Sequence, residues 1–291
     1  MWTLIKLELF KIFRKPRTYI AFAAITALIV LIQIGFYADG ETFLNFGMQS
    51  LTSSFTVEGK VMNGYFMCYV ILQLLLIHVP ILIALVAGDL VSGEANMGTL
   101  RLLLTKPISR TEFLFSKFIA ASVYTFLLLV WMAVLSLGVS VLVFGADDMV
   151  VLKSEVVTFI LEKDVLWRYM LTFVFALLAM LTVASLAFML SVFAENSIGP
   201  IVACIVIIIL FTILNSLDLS IFNVLRPFMF TTHMIGWKGF FDVQVNQSNE
   251  TIAGSIEYLP AVLTSAGILL LHIVVFLGIA VFAFRKKDIL S

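Results

Sequence analysis

Six long apolar runs dominate this sequence and limit the chain to a membrane protein. We place them near Thr18 to Tyr37, Val61 to Ala87, Phe118 to Phe144, Tyr169 to Phe193, Ile198 to Leu217 and Pro260 to Phe284. None of the six contains Asp, Glu, Lys or Arg. About 20 residues of helix cross a bilayer core of about 30 Å and satisfy every backbone N–H and C=O internally. We therefore predict an all-α polytopic membrane protein with six transmembrane helices, forming a single membrane domain over residues 1–291.

Composition excludes several classes of protein. The chain is 62% hydrophobic and 12% charged, whereas soluble domains are about 45–50% apolar and about 25% charged. Its formal net charge of zero argues against a nucleic-acid-binding protein, which needs a basic excess. Cys68 and Cys204 lie inside apolar runs, so we expect small buried side chains rather than a disulfide or a metal site.

The distribution of Lys and Arg predicts the orientation. Twelve of these residues fall in the segments on the side of the N-terminus, and six fall in the segments on the opposite side. Positive charge is retained on the cytoplasmic side of a membrane. We therefore expect both termini to be cytoplasmic.

The first sixteen residues have the pattern of an amphipathic helix. The positions that we assign to one apolar face are Trp2, Ile5, Leu9, Ile12 and Phe13. The basic residues largely on the other face are Lys6, Lys11, Arg14 and Lys15. This pattern predicts a helix in the headgroup layer, in contact with membrane lipid and ended by Pro16. The alternative is a polar lead-in that anchors the first span.

Three segments lie on the predicted outer side. Apolar residues three or four apart predict short amphipathic helices in 41–60 and 151–166. The outer segment, 218–259, begins with residues apolar enough to dip into the membrane, and its later part has the composition of a solvated loop.

The sequence lacks the motifs of several catalytic and ion-coupled functions. It contains no G-x-x-x-x-G-K-[ST] and no HExxH, so we predict no ATPase, no catalytic residue and no metal site in this chain. The six runs hold no acid or base of the kind that couples ions to transport. Their polar residues include His272 and the possible pathway residues Gln33, Gln73, His78 and Asn215. We expect these to hydrogen-bond between helices, although a mostly apolar pathway with such groups suits a lipophilic cargo.

The polar segment between the second and third runs, 88–117, carries the most information. Residues 94–105 favour a helix with leucines toward one side, which Pro107 ends. Ser109 and Glu112 form a capping box that predicts the start of the next helix at Ser109. The result is a short elbow between two long helices. Two interpretations of its leucines stay open: a docking surface for a partner, or packing against this protein's own helices.

At these residues the sequence resembles the permease subunits of the ABC-2 type exporter family. The matching positions are Glu94, Gly98, Thr99, Leu102, Leu103, Pro107, Ser109, Arg110 and Lys117. The resemblance implies that the elbow is a coupling helix seated on an ATPase. It assigns this role to Glu94, Gly98, Thr99, Leu100, Arg101, Leu103, Leu104, Pro107, Ser109 and Arg110. It also implies an interfacial helix that includes Trp2, Ile5, Leu9, Phe13 and Arg14.

The resemblance sets the functional expectation. It implies a bacterial inner-membrane permease that pairs with a second copy or a sister permease and sits on two separate ATPase subunits, which bind ATP and Mg²⁺. We expect export of a lipophilic or amphiphilic substrate, and the sequence does not identify which one. A membrane scaffold or maturation factor is the main alternative. An intramembrane enzyme is a third, and it requires His78 and His272 to meet.

Overall fold

Long helices make up most of the structure. The computed structural model describes residues 1–52, 62–100, 108–152, 157–217, 220–246 and 251–287, and it leaves undescribed the side chains of 41–52, 152, 157–158 and 220–221. Within these described ranges, six helices are long and apolar enough to cross a membrane: Pro16–Gly40, Gly64–Asn96, Arg110–Phe144, Glu162–Phe193, Ile198–Ser216 and Leu259–Lys286. The prediction of six such helices is confirmed, and we refer to them as spans one to six. The chain has the architecture of a multi-pass membrane protein.

The individual helices are as follows. The first part of the chain forms α1 (Trp2–Arg14), α2 (Pro16–Thr52), α3 (Gly64–Ala87) and α4 (Ser92–Asn96). The third span consists of α5 (Arg110–Ala133), a π-helix (Val134–Val139) and α6 (Ser140–Phe144). It is followed by α7 (Glu162–Phe193), α8 (Ile198–Ser216), α9 (Phe230–Met234) and α10 (Leu259–Lys286). Short 3₁₀ helices occupy Ser220–Val224, Arg226–Phe228 and Ile235–Phe241.

Two helices begin well before the apolar runs that predicted them. The third span starts at Arg110 rather than Phe118, and the fourth starts at Glu162 rather than Tyr169. Lys117 and Arg168 therefore lie inside helices that extend beyond the apolar runs, and for the third span the Ser109 cap predicts this earlier start. An apolar run ends at the first charge, whereas a helix continues wherever its charged side chains find partners.

Residues 151–166 do not form the predicted amphipathic helix. They contain most of an antiparallel hairpin of β1 (Met149–Leu152) and β2 (Val157–Ile160), with Val150 opposite Phe159. The segment is rich in β-branched residues, which favour strands. The following helix begins only at Glu162. In the outer segment 41–60, for which an amphipathic helix was also predicted, helix α2 continues to Thr52 after a kink at Asp39.

The segment 220–241 packs along the sixth span. The Phe228 carbonyl accepts a hydrogen bond from His272 Nε2 at 3.1 Å. The Phe230 ring lies 5.7 Å from Phe211 of the fifth span and 6.5 Å from Phe276 of the sixth, between ring centroids. His272 lies about 20 Å along its helix from Leu259, at a rise of about 1.5 Å per residue. The apolar start of this segment therefore lies alongside the middle of the sixth span.

The two ends of the helix bundle are distinct. At one end, which we call the α1 end, Lys287 Nζ donates to the Val192 carbonyl at 2.9 Å, and Lys11 contacts Glu94. The segments that we predicted to share the side of the N-terminus meet at this end. At the opposite end, which we call the hairpin end, Asn63 Nδ2 donates to the Asp148 carbonyl at 2.7 Å.

A buried charge cluster as the candidate functional site

Helix α1 lies against the third span rather than extending away from the protein. Its buried residues are Ile5, Glu8 and Ile12, so part of the predicted apolar face packs inward and carries an acid at its centre. The outer face is mixed: Trp2 and Phe10 are exposed, and basic side chains lie over their rings. Lys15 is extended and Pro16 begins α2, so Pro16 ends α1 as predicted.

Four charged side chains meet beneath α1, and we call them the charge cluster: Glu8, Lys11, Glu94 and Lys117. Lys117 Nζ lies 2.8 Å from Glu8 Oε2 and 2.8 Å from Glu94 Oε1. Lys11 Nζ lies 2.7 Å from Glu8 Oε1 and 2.7 Å from Glu94 Oε1. The side chain of Lys117 is 1% exposed, and those of the two glutamates are 7% exposed. The cluster thus joins α1, the elbow and the third span.

The charges within the cluster balance, two acids against two bases. Burial alone would raise the pKa of Glu8, but the charge of Lys117 and hydrogen bonds from Lys11 and Lys117 outweigh it and lower that pKa. Burial alone would lower the pKa of Lys11, but hydrogen bonds to Glu8 and Glu94 outweigh it and raise that pKa. Both shifts favour the charged forms, so the ion pairs stabilise the attachment of α1.

A second group of ion pairs lies beside the cluster. Asp89 accepts from Lys15 Nζ at 2.8 Å and also pairs with Arg17. Burial, and then the charge of Arg17, lowers the pKa of Lys15. Asp89 follows the end of α3 and Arg17 lies in the first turn of α2, so these pairs join the second span to the first.

The elbow itself begins at α4, which the fourth span holds in place. Ser191 Oγ accepts from the backbone N–H groups of Val91 and Ser92 at 3.1 and 2.9 Å. Gly98 ends α4 with a φ of 69°, a left-handed conformation that glycine adopts without steric cost. Thr99 Oγ1 donates to the Glu94 carbonyl at 3.2 Å. The Gly98-Thr99 pair therefore closes a short helix, where we predicted one helix from residue 94 to 105.

The structure supports some of the predictions for the remaining elbow residues and does not describe others. The predicted cap is confirmed, because Ser109 Oγ accepts from the Glu112 N–H at 3.1 Å. Leu100 is buried, at 4% exposure, which for this leucine favours packing against its own chain. Arg110 donates to the Lys287 carbonyl at 2.8 Å and to two further carbonyls at the end of α10. The predicted coupling residues Arg101, Leu103, Leu104 and Pro107 lie outside the described residues.

A cavity of about 580 Å³ opens between α1 and residues 90–99. Phe10, Ile12, Leu90 and Met97 supply apolar wall. The basic side chains that line it are Lys11, Arg14, Lys15 and Lys117, and the acidic ones are Glu8 and Glu94. The charge cluster therefore forms one side of this cavity.

The structure does not bring the possible pathway residues together. Gln33 donates to the Leu135 carbonyl and to Ser140 Oγ at 3.0 and 2.9 Å, beside the π-helix of the third span. Gln73 and His78 lie on the exposed face of α3. Asn215 accepts from Thr232 at 3.2 Å.

The histidines do not support the enzyme alternative. His78 Nδ1 lies 2.7 Å from the Leu74 carbonyl of its own helix, whereas His272 contacts Phe228. The two rings therefore have separate partners. Among the described residues, no three His, Cys, Asp or Glu side chains are grouped to hold a metal ion.

Sequence reasoning missed two members of this site. Glu8 and Asp89 were not predicted to form ion pairs, although Glu8 falls on the apolar face of α1 and precedes Lys11 by three positions, where side chains on a helix meet. Lys117 appeared only as a position in the family resemblance. Its two partners come from distant parts of the chain, so no local spacing indicates them.

Comparison with known proteins matches nearly the whole chain to one family. The family model described as "Protein of unknown function (DUF2705)" matches residues 24–290. "Uncharacterized protein YhcI" of Bacillus subtilis (strain 168) is 28% identical over 116 residues, which cover 39% of this chain. The match spans 37% of that relative's own length.

Proposed function

The chain belongs to the DUF2705 family, whose function is unknown, and from its residues and geometry we propose that it is the permease subunit of an ABC exporter. The substrate is lipophilic or amphiphilic, because the spans offer a mostly apolar surface with few polar groups. In this proposal α1 is the interfacial helix, the elbow is the coupling helix, and residues 1–291 are one ABC-2 type transmembrane domain.

The single observation that carries the proposal is the attachment of the elbow by the charge cluster. Glu94 shares Oε1 between Lys11 of α1 and Lys117 of the third span. Ser191 fixes the start of α4 to the fourth span. A force applied to the elbow would therefore move several spans, as an element coupled to an external motor requires.

The proposal assigns the energy source to other chains. Two ABC ATPase subunits bind ATP and Mg²⁺, and this chain, which carries no enzymatic activity of its own, pairs with a second permease copy or a sister permease. The α1 end and both termini face the cytoplasm of a bacterium, and the protein lies in its inner membrane. The excess of Lys and Arg in the segments of the α1 end supports this orientation.

Co-purification tests the docking. The full chain is expressed with the ABC ATPase encoded beside it and purified in detergent. We expect a stable complex that Leu103→Asp abolishes, because a charge replaces an apolar side chain of the elbow sequence. The matched control is Ile252→Asp at the hairpin end, which keeps the complex. The proposal would be contradicted if the unsubstituted permease, correctly folded, did not bind the ATPase. It would also be contradicted if both variants lost the complex to the same extent.

Reconstitution separates transport from a scaffold role. The complex in vesicles should move a fluorescent amphiphile only when ATP is supplied and only when the ATPase is catalytically intact. A complex that hydrolyses ATP without moving any amphiphile would support the membrane scaffold or maturation factor instead.

A further inference from the structure

The cavity beside the charge cluster has an apolar wall and a basic rim. Phe10 and Met97 are about 60% exposed at its mouth, although they are large apolar side chains. Exposed apolar surface of this kind is typical of a binding site. The occupant must therefore cover apolar surface.

The rim has a positive charge left over after its ion pairs are counted. Lys11 and Lys117 pair with Glu8 and Glu94, and Lys15 pairs with Asp89. Among the described residues, Arg14 has no carboxylate within ion-pair distance, and its guanidinium lies 5.6 Å from the centre of the Phe10 ring. The rim thus offers an anion at least one uncompensated charge.

The level of the cavity identifies the kind of anion. Leu90 follows the end of helix α3 at Ala87, and Lys15 directly precedes the first span. The cavity therefore lies where apolar helices give way to charged segments, which is the level of phospholipid headgroups. A free phosphate would leave the apolar wall in water, whereas a phospholipid covers it with an acyl chain.

We propose that this cavity binds one anionic phospholipid, with its headgroup beside Arg14 and an acyl chain along Phe10 and Met97. Arg14 selects the anionic lipid and the apolar wall retains it. The proposal concerns this chain alone and stands whether or not an ATPase docks nearby.

Native mass spectrometry of the delipidated full chain measures the binding. Phosphatidylglycerol is compared with phosphatidylcholine carrying the same acyl chains. Arg14→Gln should weaken phosphatidylglycerol binding about fivefold, the contribution of one basic residue at a membrane surface. It should leave phosphatidylcholine unchanged. The matched control is Lys6→Gln, which removes the same charge from α1 outside the cavity and should change neither lipid.

Two further arms test the wall and the source of the phosphate. Met97→Trp fills the cavity and should weaken both lipids, whereas Leu7→Trp on the outer face of α1 should not. Glycerol phosphate, which has no acyl chain, should fail to compete at concentrations where the lipid binds. Equal affinity for the two lipids, equal loss in Lys6→Gln and Arg14→Gln, or competition by glycerol phosphate would overturn the proposal. If Met97→Trp does not fold, the comparison of phosphatidylglycerol binding by Arg14→Gln and Lys6→Gln tests the proposal by itself.

Discussion

Lys117 shows how a single buried charge depends on distant partners. Its ammonium group lies between Glu8 of α1 and Glu94 of the elbow, at 2.8 Å from each. Taking these groups out of water carries a desolvation penalty, which their mutual attraction offsets only while the partners remain in place. The residue therefore matters more to the connection between elements than to the stability of its own helix.

Lys117→Met should destabilise the protein more than the loss of an exposed lysine. Two buried carboxylates would then share only Lys11, and breaking a buried ion pair costs about 3–5 kcal/mol. The check is thermal unfolding in detergent, with Lys6→Met on the exposed face of α1 as the matched control. A melting temperature that falls equally in both variants would mean that the buried pairs contribute nothing.

A double-mutant cycle assigns that loss to the pair. Combining Lys117→Met with Glu94→Gln removes one base and one acid, which leaves Glu8 with Lys11 and restores the balance of charge. We expect the double variant to be more stable than the sum of the single effects predicts, by about 0.5–3 kcal/mol. Simple additivity would contradict a direct interaction between the two side chains.

At the scale of elements, hydrogen bonds from the sixth span and from within the segment itself hold the segment 220–241 in place. His272 Nε2 lies 3.1 Å from the Phe228 carbonyl, and His233 Nε2 lies 3.0 Å from the Pro227 carbonyl. Irregular backbone at membrane depth needs such partners, because lipid offers none. These two histidines therefore serve the packing of this segment.

His272→Leu should release this segment locally. The Phe228 carbonyl would lose its donor, and a hydrogen bond in this setting contributes about 1–2 kcal/mol. Hydrogen–deuterium exchange of residues 226–234 should then accelerate about fivefold or more, while residues 251–258 exchange as before. His272→Gln retains an N–H donor and should restore part of the protection. Unchanged exchange in His272→Leu would show that ring contacts alone hold the segment.

Elements with a strong periodic pattern were predictable, and those decided by local backbone chemistry were not. The six spans follow from apolar length, and the start of α5 follows from the Ser109 cap. The β-hairpin at 149–160 was missed because alternating and helical spacings overlap in a short apolar segment, where β-branched residues decide. The short length of α4 was also missed. Gly98 adopts a left-handed conformation that ends this helix, whatever the apolar pattern of the leucines that follow it.

At the scale of the whole molecule, charged side chains connect distant segments of the chain at both ends of the helix bundle. The α1 end is held by the charge cluster and Asp89, and at the hairpin end Arg168 pairs with Asp164 at 2.6 Å and donates to the Ser255 carbonyl at 2.8 Å. Which segments share an end was predictable from charge. Which distant side chains meet was not, because packing alone brings together residues such as Lys117 and Glu94.

The attachment of α1 should depend on pH through the shifted pKa values of Glu8 and Lys11. The pKa of Glu8 lies below the ordinary value of 4.5, so its stabilisation is fully present above 4.5 and is lost as pH falls through the lowered pKa. The pKa of Lys11 lies above the ordinary value of 10.5, so its contribution is fully present below 10.5 and is lost as pH rises through the raised pKa. We therefore expect α1 to stay attached between about pH 4.5 and pH 10.5 and to loosen progressively as pH moves beyond either limit.

A nitroxide label on Leu7→Cys reports this transition, because Leu7 is exposed on α1 and the native Cys68 and Cys204 are buried. The label should become mobile as pH falls below about 4.5, where the protonation of Glu8 begins to remove its ion pairs. In a Glu8→Gln background the label should already be mobile at neutral pH. A label on Leu142→Cys, in the third span, controls for global unfolding. Simultaneous mobilisation of both labels, or a Leu7 label that stays immobile under acid, would contradict an attachment governed by Glu8.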